Sequence, residues 1–280
     1  MEIMKTDKKH NRRDFGIFIY NEREGDFMKI ITTKKRDISL IVIMLLWVAV
    51  MVFCVWNTLA TTASAEIRRI PVYSVDTDVK EIAFTFNCAW GTDGLDEILQ
   101  LLTDEGIKCT FFFVGDFAKK YPEAVRRIYN AGHETGNHSM KHKDPVKQTY
   151  EEILSDITAC NELLYSITGA PVCLYRAPSG SYDNKTIEAA ESLGMTAVQW
   201  DVDSIDWRDL SVEKIISRVT SKVTCGSIVL FHLGKENTLK ALPDIIKQLK
   251  KEGFSFTTVG ALLPDGECYT DHAGRLFRKS

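Results

Sequence analysis

The feature that most restricts the fold is an alternation of short apolar segments with amphipathic segments, from about Lys80 to about Leu263. The apolar segments are predicted to be buried strands: EIAFTF, KCTFFFVG, VCLYRAP, TAVQWDVD and SIVLFH. The i, i+3, i+4, i+7 spacing of a helix face follows the first strand, at Leu95, Ile98, Leu99 and Leu102. Another helix is predicted over 116–131, with a break near Pro122. This alternation predicts a parallel sheet covered by helices, either a barrel or a doubly wound sheet.

A separate apolar segment, residues 38–56, has the length and composition of a membrane-spanning helix. Ser39 is its only clearly polar residue, and as a helix it is about 28 Å long, close to the thickness of the hydrocarbon core of a bilayer. Basic residues at 34–36 precede it, so the positive-inside tendency predicts that the chain before it is cytoplasmic and the rest extracytoplasmic. We therefore expect a single-pass protein of the cell membrane.

A cleaved signal peptide is the alternative, with a small-residue cleavage site near Ala65 and a secreted product. The predicted organisation is a cytoplasmic segment over 1–37, a transmembrane anchor or signal-anchor over 38–60, a tether over 61–77, a folded domain over 78–263 and a loose tail over 264–280.

Polar clusters stand at the ends of five predicted strands. They are Asn87-Cys88, HSMKH (138–142), RAPSGSY (176–182), DVDSIDW (201–207) and LFH (230–232). The carboxyl ends of parallel strands meet at one edge, where the sites of such folds are built. Five clusters at equivalent positions are hard to explain by core packing and predict a functional site.

The side chains in these clusters suggest metal binding and proton transfer. His138 and His142 are four residues apart, which on a helical turn places both rings on one face, able to share a metal ion. Asp206 could orient His232 as a general acid, and Arg176 could hold a carboxylate or an oxyanion. The alternatives are solvated loop histidines, a histidine satisfied within the core and an ordinary surface ion pair.

Aromatic residues at the strand ends could form a sugar-binding floor. Trp90, Tyr182 and Trp207 occupy such positions, although aromatic residues there also cap cores. The net charge of −3 gives no reason to expect a nucleic-acid partner.

Together the clusters resemble the motifs of the polysaccharide deacetylase family with the NodB homology domain, carbohydrate esterase family 4. The matching segments are TFNC, HSMKH, RAPSG, DSIDW and LFH, in the family's order, over roughly residues 78–263. The resemblance implies a distorted (β/α)7 barrel that removes N-acetyl groups from the amino sugars of a peptidoglycan-like or chitin-like glycan. The membrane segment and the AWG after the first motif are most similar to the PdaB-type sporulation subgroup, which implies a role in sporulation.

The resemblance also implies residue roles. His138 and His142 are expected to bind a divalent metal, zinc, and His232 to protonate the leaving amine while Asp206 orients it. Arg176 is expected to face the catalytic base. The substrate pocket is expected to include Trp90, Pro178, Tyr182, Trp207 and Leu230.

The first motif departs from the family pattern, because Asn87 stands at the position of the base Asp and Cys88 at that of a metal-binding Asp. Asn does not accept a proton near neutral pH, whereas a thiolate is a sound zinc ligand, so Cys88 is the candidate third ligand. Neighbouring strand residues face opposite sides, so Cys88 reaches the pocket only if the strand ends there. Candidate substitute bases are Asp93, Asp201 and Asp203.

These departures leave three hypotheses. The chain is a metal-dependent deacetylase with altered chemistry, a carbohydrate-binding or scaffold protein that has lost catalysis, or a different hydrolase, such as an esterase, that uses the same metal site.

Overall fold

The computed structural model describes residues 35–61 and 68–279, in two units. The first contains helix α1 (Lys35–Thr61), in which residues 39–56 have a mean hydropathy of 2.8 and exposed side chains. Within the described ranges it is the one helix long and apolar enough to cross a membrane. The predicted cytoplasmic segment up to residue 34 and the cleavage site near Ala65 lie outside the described residues.

The second unit, residues 68–279, is built on a curled parallel sheet with helices packed against it. Its strands are β2 (Glu81–Cys88), β3 (Thr110–Phe113), β4 (Glu134–Asn137), β5 (Leu174–Tyr175), β6 (Thr196–Ala197), β7 (Val202–Asp203), β8 (Ile228–His232) and β9 (Ser255–Thr257). Their order is β6-β5-β4-β3-β2-β8-β7, and β9 also pairs with β2. The predicted barrel class is confirmed in the form of a curled half-barrel.

Helices connect these strands and bury their apolar faces against the sheet. They are α2 (Leu95–Asp104), α3 (Gly115–Lys120), α4 (Pro122–Asn130), α5 (Tyr150–Thr168), α6 (Asn184–Ser192), α7 (Val212–Thr220), α8 (Glu236–Lys251) and α9 (Val259–Leu262). All four apolar residues predicted for the α2 face are buried. The break predicted near Pro122 separates α3 from α4, and Pro122 occupies the first position of α4, where its missing N–H needs no partner within the helix.

Strand β2 has two chemically different faces, as the period of two requires. Phe84, Phe86 and Cys88 belong to the apolar cluster that includes the buried faces of the helices. Thr85 and Asn87 face the concave side, where both accept hydrogen bonds from one guanidinium group. The register of this strand therefore decides which of Asn87 and Cys88 reaches the site.

The segment TAVQWDVD, predicted as one strand, is divided between the two edges of the sheet. Strand β6 pairs with β5 at one edge and β7 pairs with β8 at the other, so residues 198–201 cross the opening between them. Val72 forms a bridge with Val198 on one side, and Ser74 forms a bridge with Ser227 on the other. The chain before the predicted domain thus helps to close the curled sheet.

Residues outside the predicted domain limits of 78 and 263 also belong to this unit. Residues from the expected tether and tail form a second sheet in the order β1-β11-β10, with β1 (Ser74–Val75), β10 (Cys268–Thr270) and β11 (Arg275–Arg278). Val75 and Leu276 from this sheet pack in a buried apolar cluster with Ala83, Phe112 and Ile228 of the main sheet. The polar composition of the tail concealed these few apolar contacts, which come from residues distant in sequence.

Candidate active site

A pocket of about 410 Å³ lies where the carboxyl ends of the strands meet. Seven residues predicted for the site line it: Asn87, Trp90, His138, His142, Trp207, Leu230 and His232. The sequence interpretation missed Ala89, Ser179, Trp200 and Lys235, which also line it. Ser179 lies inside the RAPSGSY cluster and the other three lie one to three residues from a predicted cluster, so proximity along the chain was the available signal.

The two histidines that follow β4 lie side by side in a tight turn. The turn is not helical, since Ser139 and His142 have positive φ values of 68° and 53°, yet the ring centroids are 4.9 Å apart. Nδ1 of His138 lies 2.8 Å from the carbonyl oxygen of Arg176, so Nδ1 donates and Nε2 is left as an acceptor. Burial lowers the pKa of His138, which favours this neutral form.

His232, the last residue of β8, is held by a buried carboxylate. Its Nδ1 lies 2.7 Å from Oδ1 of Asp206, which therefore accepts the proton of that nitrogen in a hydrogen bond. Oδ2 of Asp206 accepts two more hydrogen bonds, from the His232 backbone N–H at 2.8 Å and from the Thr238 hydroxyl at 2.7 Å. The pair has the geometry that orients an imidazole for proton transfer.

Arg176 lies beneath the pocket, fully buried, with only neutral acceptors around its guanidinium group. It donates to the Thr85 hydroxyl at 2.8 Å, to Oδ1 of Asn87 at 3.1 Å and to the Gln199 carbonyl at 2.9 Å. Burial lowers its pKa to about 9, and in the described part of the chain it forms no ion pair. The face of Phe112, 4.0 Å away, offers a cation–π contact instead of a counter-ion.

Exposed tryptophans form the rim of the pocket. Trp90 is 56% exposed and its ring centroid is 5.4 Å from that of His232, while Trp207 is 43% exposed. Nζ of Lys235 lies 5.5 Å from the Trp90 ring centroid, and the Arg208 guanidinium lies 4.6 Å from that of Trp207. Flat, exposed aromatic rings beside polar groups suit the apolar faces of sugar rings.

Comparison with known proteins identifies one family. The profile of the family described as Polysaccharide deacetylase matches residues 74–198. A peptidoglycan-N-acetylglucosamine deacetylase of Bacillus cereus is 32% identical over 186 residues, which cover 65% of this chain and 68% of that protein. This chain belongs to the polysaccharide deacetylase family. Carbohydrate esterase family 4, as the family is also known, comprises metal-dependent hydrolases that act on N-acetyl amide bonds.

Two other known proteins have about the same sequence identity to this chain. The uncharacterized protein YlxY of Bacillus subtilis is 32% identical over 195 residues, which cover 70% of this chain but only 61% of that protein. The crystal structure of a wild-type family pseudoenzyme from Bacillus anthracis matches with a TM-score of 0.67 and 31% identity, covering 69% of this chain and 68% of that one. A mutant of that pseudoenzyme is described as having restored enzymatic activity.

The family's metal does not fit the side chains that this chain supplies. Cys88, predicted as the third ligand, is fully buried in the apolar cluster behind β2 and does not line the pocket, and burial raises the pKa of its thiol well above the usual range. Among the described residues no three His, Cys, Asp or Glu side chains come together as a metal site. Catalytic zinc sites use three protein ligands, and the two histidines supply two.

Other predicted residues lie outside the pocket. Tyr182 lines a separate depression, and its hydroxyl lies 3.3 Å from that of Tyr73. Pro178 is buried next to Ser179, which lines the main pocket. Of the three candidate bases only Asp203 lines the pocket, and its Oδ1 accepts a hydrogen bond from the Ile205 backbone N–H at 2.8 Å. The carboxylate of Asp201 is instead held by Ser227 and the Ile228 backbone.

Proposed function

We propose that this chain binds an N-acetylated amino-sugar glycan of the cell wall in the pocket and does not deacetylate it. The observation that carries this proposal is the contact between Arg176 and Asn87, at 3.1 Å. It puts a neutral amide where the family has its base, while the neighbouring thiol faces the core.

The loss of catalysis follows from the chemistry of these two positions. Asn87 does not accept a proton near neutral pH, and loss of a general base typically costs about 10²–10⁴-fold in rate. His138 and His142 without a third protein ligand would hold zinc weakly, so the chain would also lack the activation of water that zinc supplies. The pseudoenzyme from Bacillus anthracis is a precedent within the family.

Glycan binding does not need the missing carboxylates. The pocket has a volume of about 410 Å³, the exposed Trp90 and Trp207 lie at its rim, and His232 is held by Asp206. Apolar walls with a few oriented polar groups are the general form of a small-ligand site, and here they suit one or two sugar residues.

The proposal is tested by measuring glycan binding, zinc content and acetate release on the same purified full-length chain. We expect binding of peptidoglycan fragments or chitooligosaccharides, less than one zinc per chain and no acetate above background. The Bacillus cereus deacetylase serves as the positive control for acetate release. Acetate release by the wild-type chain would contradict the proposal.

A double variant separates the causes of inactivity. We expect acetate release in neither single variant, because the base and the third ligand are separate losses. Release should return in Asn87→Asp/Cys88→Asp only when zinc is present, because the metal and its two histidines would have to draw the introduced carboxylate out of the apolar cluster in which Cys88 lies. A deacetylase with an altered mechanism is the second candidate function, favoured by the position of Asp203 on the pocket wall. In that case the wild type releases acetate and Asp203→Asn abolishes the release.

We also propose that α1 anchors the chain in the cell membrane. The support is its apolar stretch over residues 39–56, exposed on every side and about 27 Å long, with lysine and arginine before it. Alkaline extraction of membranes should leave the full-length chain in the pellet, whereas a signal-peptide product would be soluble and begin near Ala65. A role in sporulation stays a prediction from the sequence resemblance.

A further inference from the structure

The orientation of the Asn87 amide is determined by Arg176. An arginine side chain has only hydrogen-bond donors, so the Asn87 atom at 3.1 Å from its guanidinium nitrogen must be the oxygen Oδ1. The amide nitrogen Nδ2 then points away from Arg176. Nδ2 makes no hydrogen bond with any residue in 35–61 or 68–279, and Asn87, only 5% exposed, lines the pocket. Two unused N–H donors therefore face the ligand space.

The adjoining His138 presents the opposite polarity. Because its Nδ1 donates to the Arg176 carbonyl at 2.8 Å, its Nε2 carries a lone pair, and His138 lines the same pocket. A donor beside an acceptor complements an acetamido group, which has a carbonyl oxygen to accept and an N–H to donate.

The charge beneath the pocket favours the same ligand. Arg176 is a buried cation without a counter-ion among the described residues, and it touches Asn87 directly. Lys235 adds a second positive charge on the wall, against Asp203, the one carboxylate among the described lining residues. Asp206 lies behind His232, and both of its oxygens already accept hydrogen bonds from His232 or Thr238. A deacetylated glucosamine carries an ammonium group, which has only donors and is repelled by the cation behind Asn87.

We propose that Asn87 is a specificity-determining residue that makes this pocket a reader of the acetylated state: it binds acetamido sugars and rejects the deacetylated, ammonium-bearing form. The inference rests on the proposed glycan-binding function and deepens it. The position that holds a catalytic base elsewhere in the family here supplies a recognition donor.

The test compares two ligands of equal length, chitopentaose and its fully deacetylated counterpart, at pH 6, where the amines are protonated. The full chain is kept in a detergent without a sugar headgroup, and affinity is measured by calorimetry. We expect the acetylated ligand to bind at least about tenfold more tightly, since a site built to hydrogen-bond a group rejects an analogue that lacks it.

Two variants at the same position separate hydrogen bonding from charge. Asn87→Asp places a carboxylate beside the ammonium and should reduce the preference below about threefold or reverse it. Asn87→Leu, of similar volume but without donors, should weaken binding of the acetylated ligand by about tenfold, which corresponds to a typical hydrogen bond. Asn130→Asp, at the exposed end of α4 outside the pocket, is the matched control and should keep the wild-type preference.

The possible results separate the role of Asn87 in acetyl-group specificity from the proposed binding of a glycan. Equal affinity of the wild type for both ligands, or a preference for the amine, overturns the inference while leaving glycan binding intact. An unchanged preference in both Asn87 variants also overturns it. Failure of the wild type to bind either ligand refutes the proposed function, and this inference with it.

Discussion

Replacing Asn87 by aspartate should stabilise the protein, because it supplies the counter-ion that Arg176 lacks. The guanidinium group is fully buried and its contact with Oδ1 of Asn87 is 3.1 Å long. Aspartate has nearly the same shape, so one carboxylate oxygen should occupy that position without rearrangement. The cost of burying the arginine is already present in the wild type, and the variant adds the cost of burying one carboxylate.

The size of this stabilisation follows from the distance between the Arg176 guanidinium group and the side-chain oxygen at position 87. Two unit charges 3.1 Å apart attract by about 5 kcal/mol at an effective dielectric constant near 20, and the desolvation of the carboxylate offsets several kcal/mol of this. An arginine this close lowers the pKa of an aspartate by about 1 to 3 units, which adds about 1.4 to 4 kcal/mol to the free energy of unfolding at pH 7. Because the pKa is lower in the folded state, this gain is complete above the unfolded pKa of about 3.9 and is lost as the pH falls below it.

Urea unfolding of the wild type and the variant, from pH 7 to pH 3, measures this effect. We expect a higher midpoint for Asn87→Asp at pH 7 with an unchanged slope, and a difference that shrinks below about pH 4. Asn130→Asp adds the same charge at an exposed helix end, where it should lower stability by no more than about 1 kcal/mol. A midpoint for Asn87→Asp at or below that of the wild type, or a gain that does not change with pH, would show that the new carboxylate does not pair with Arg176.

Three further changes test other parts of the structure by the same unfolding measurement. Asp206→Asn should lower the free energy of unfolding by about 2 to 4 kcal/mol, because the buried carboxylate accepts three hydrogen bonds, two of them from His232. An unchanged midpoint would show that these hydrogen bonds do not stabilise the fold. Cys88→Asp, in zinc-free protein, should lower the free energy of unfolding by more than about 3 kcal/mol, because it buries a carboxylate in the apolar cluster. A mild effect, like that expected for Cys88→Ala, would mean that the side chain reaches the pocket. Leu276→Ala should cost about 2 to 4 kcal/mol if β11 belongs to the core, and nothing if the C-terminal segment is a loose tail.

Local patterns in the sequence predicted much of this fold. The spacing of Leu95, Ile98, Leu99 and Leu102 predicted a buried helix face, and Pro122 predicted the break between two helices. Both features depend on neighbours a few residues away, where backbone geometry relates sequence spacing directly to direction in space. The polar strand ends were predicted to meet for a related reason, since parallel strands put equivalent ends at one edge.

Local sequence patterns do not predict contacts between segments that are distant along the chain. The strand predicted over TAVQWDVD is divided between two sheet edges, and the C-terminal residues pair with a strand that precedes the predicted domain. His138 and His142 come together through residues with positive φ, a turn that their helical spacing does not predict.

The amino-acid sequence defines the chemical groups at the first motif: an amide at Asn87 and a thiol at Cys88, where the family has two carboxylates. What each group can do depends on where the fold directs it. The register of β2 turns Asn87 towards the pocket and Cys88 into the core, because adjacent strand residues face opposite sides. Arg176, contributed from beyond β5, then orients the amide so that its donors face the ligand, since a guanidinium group can contact only the oxygen.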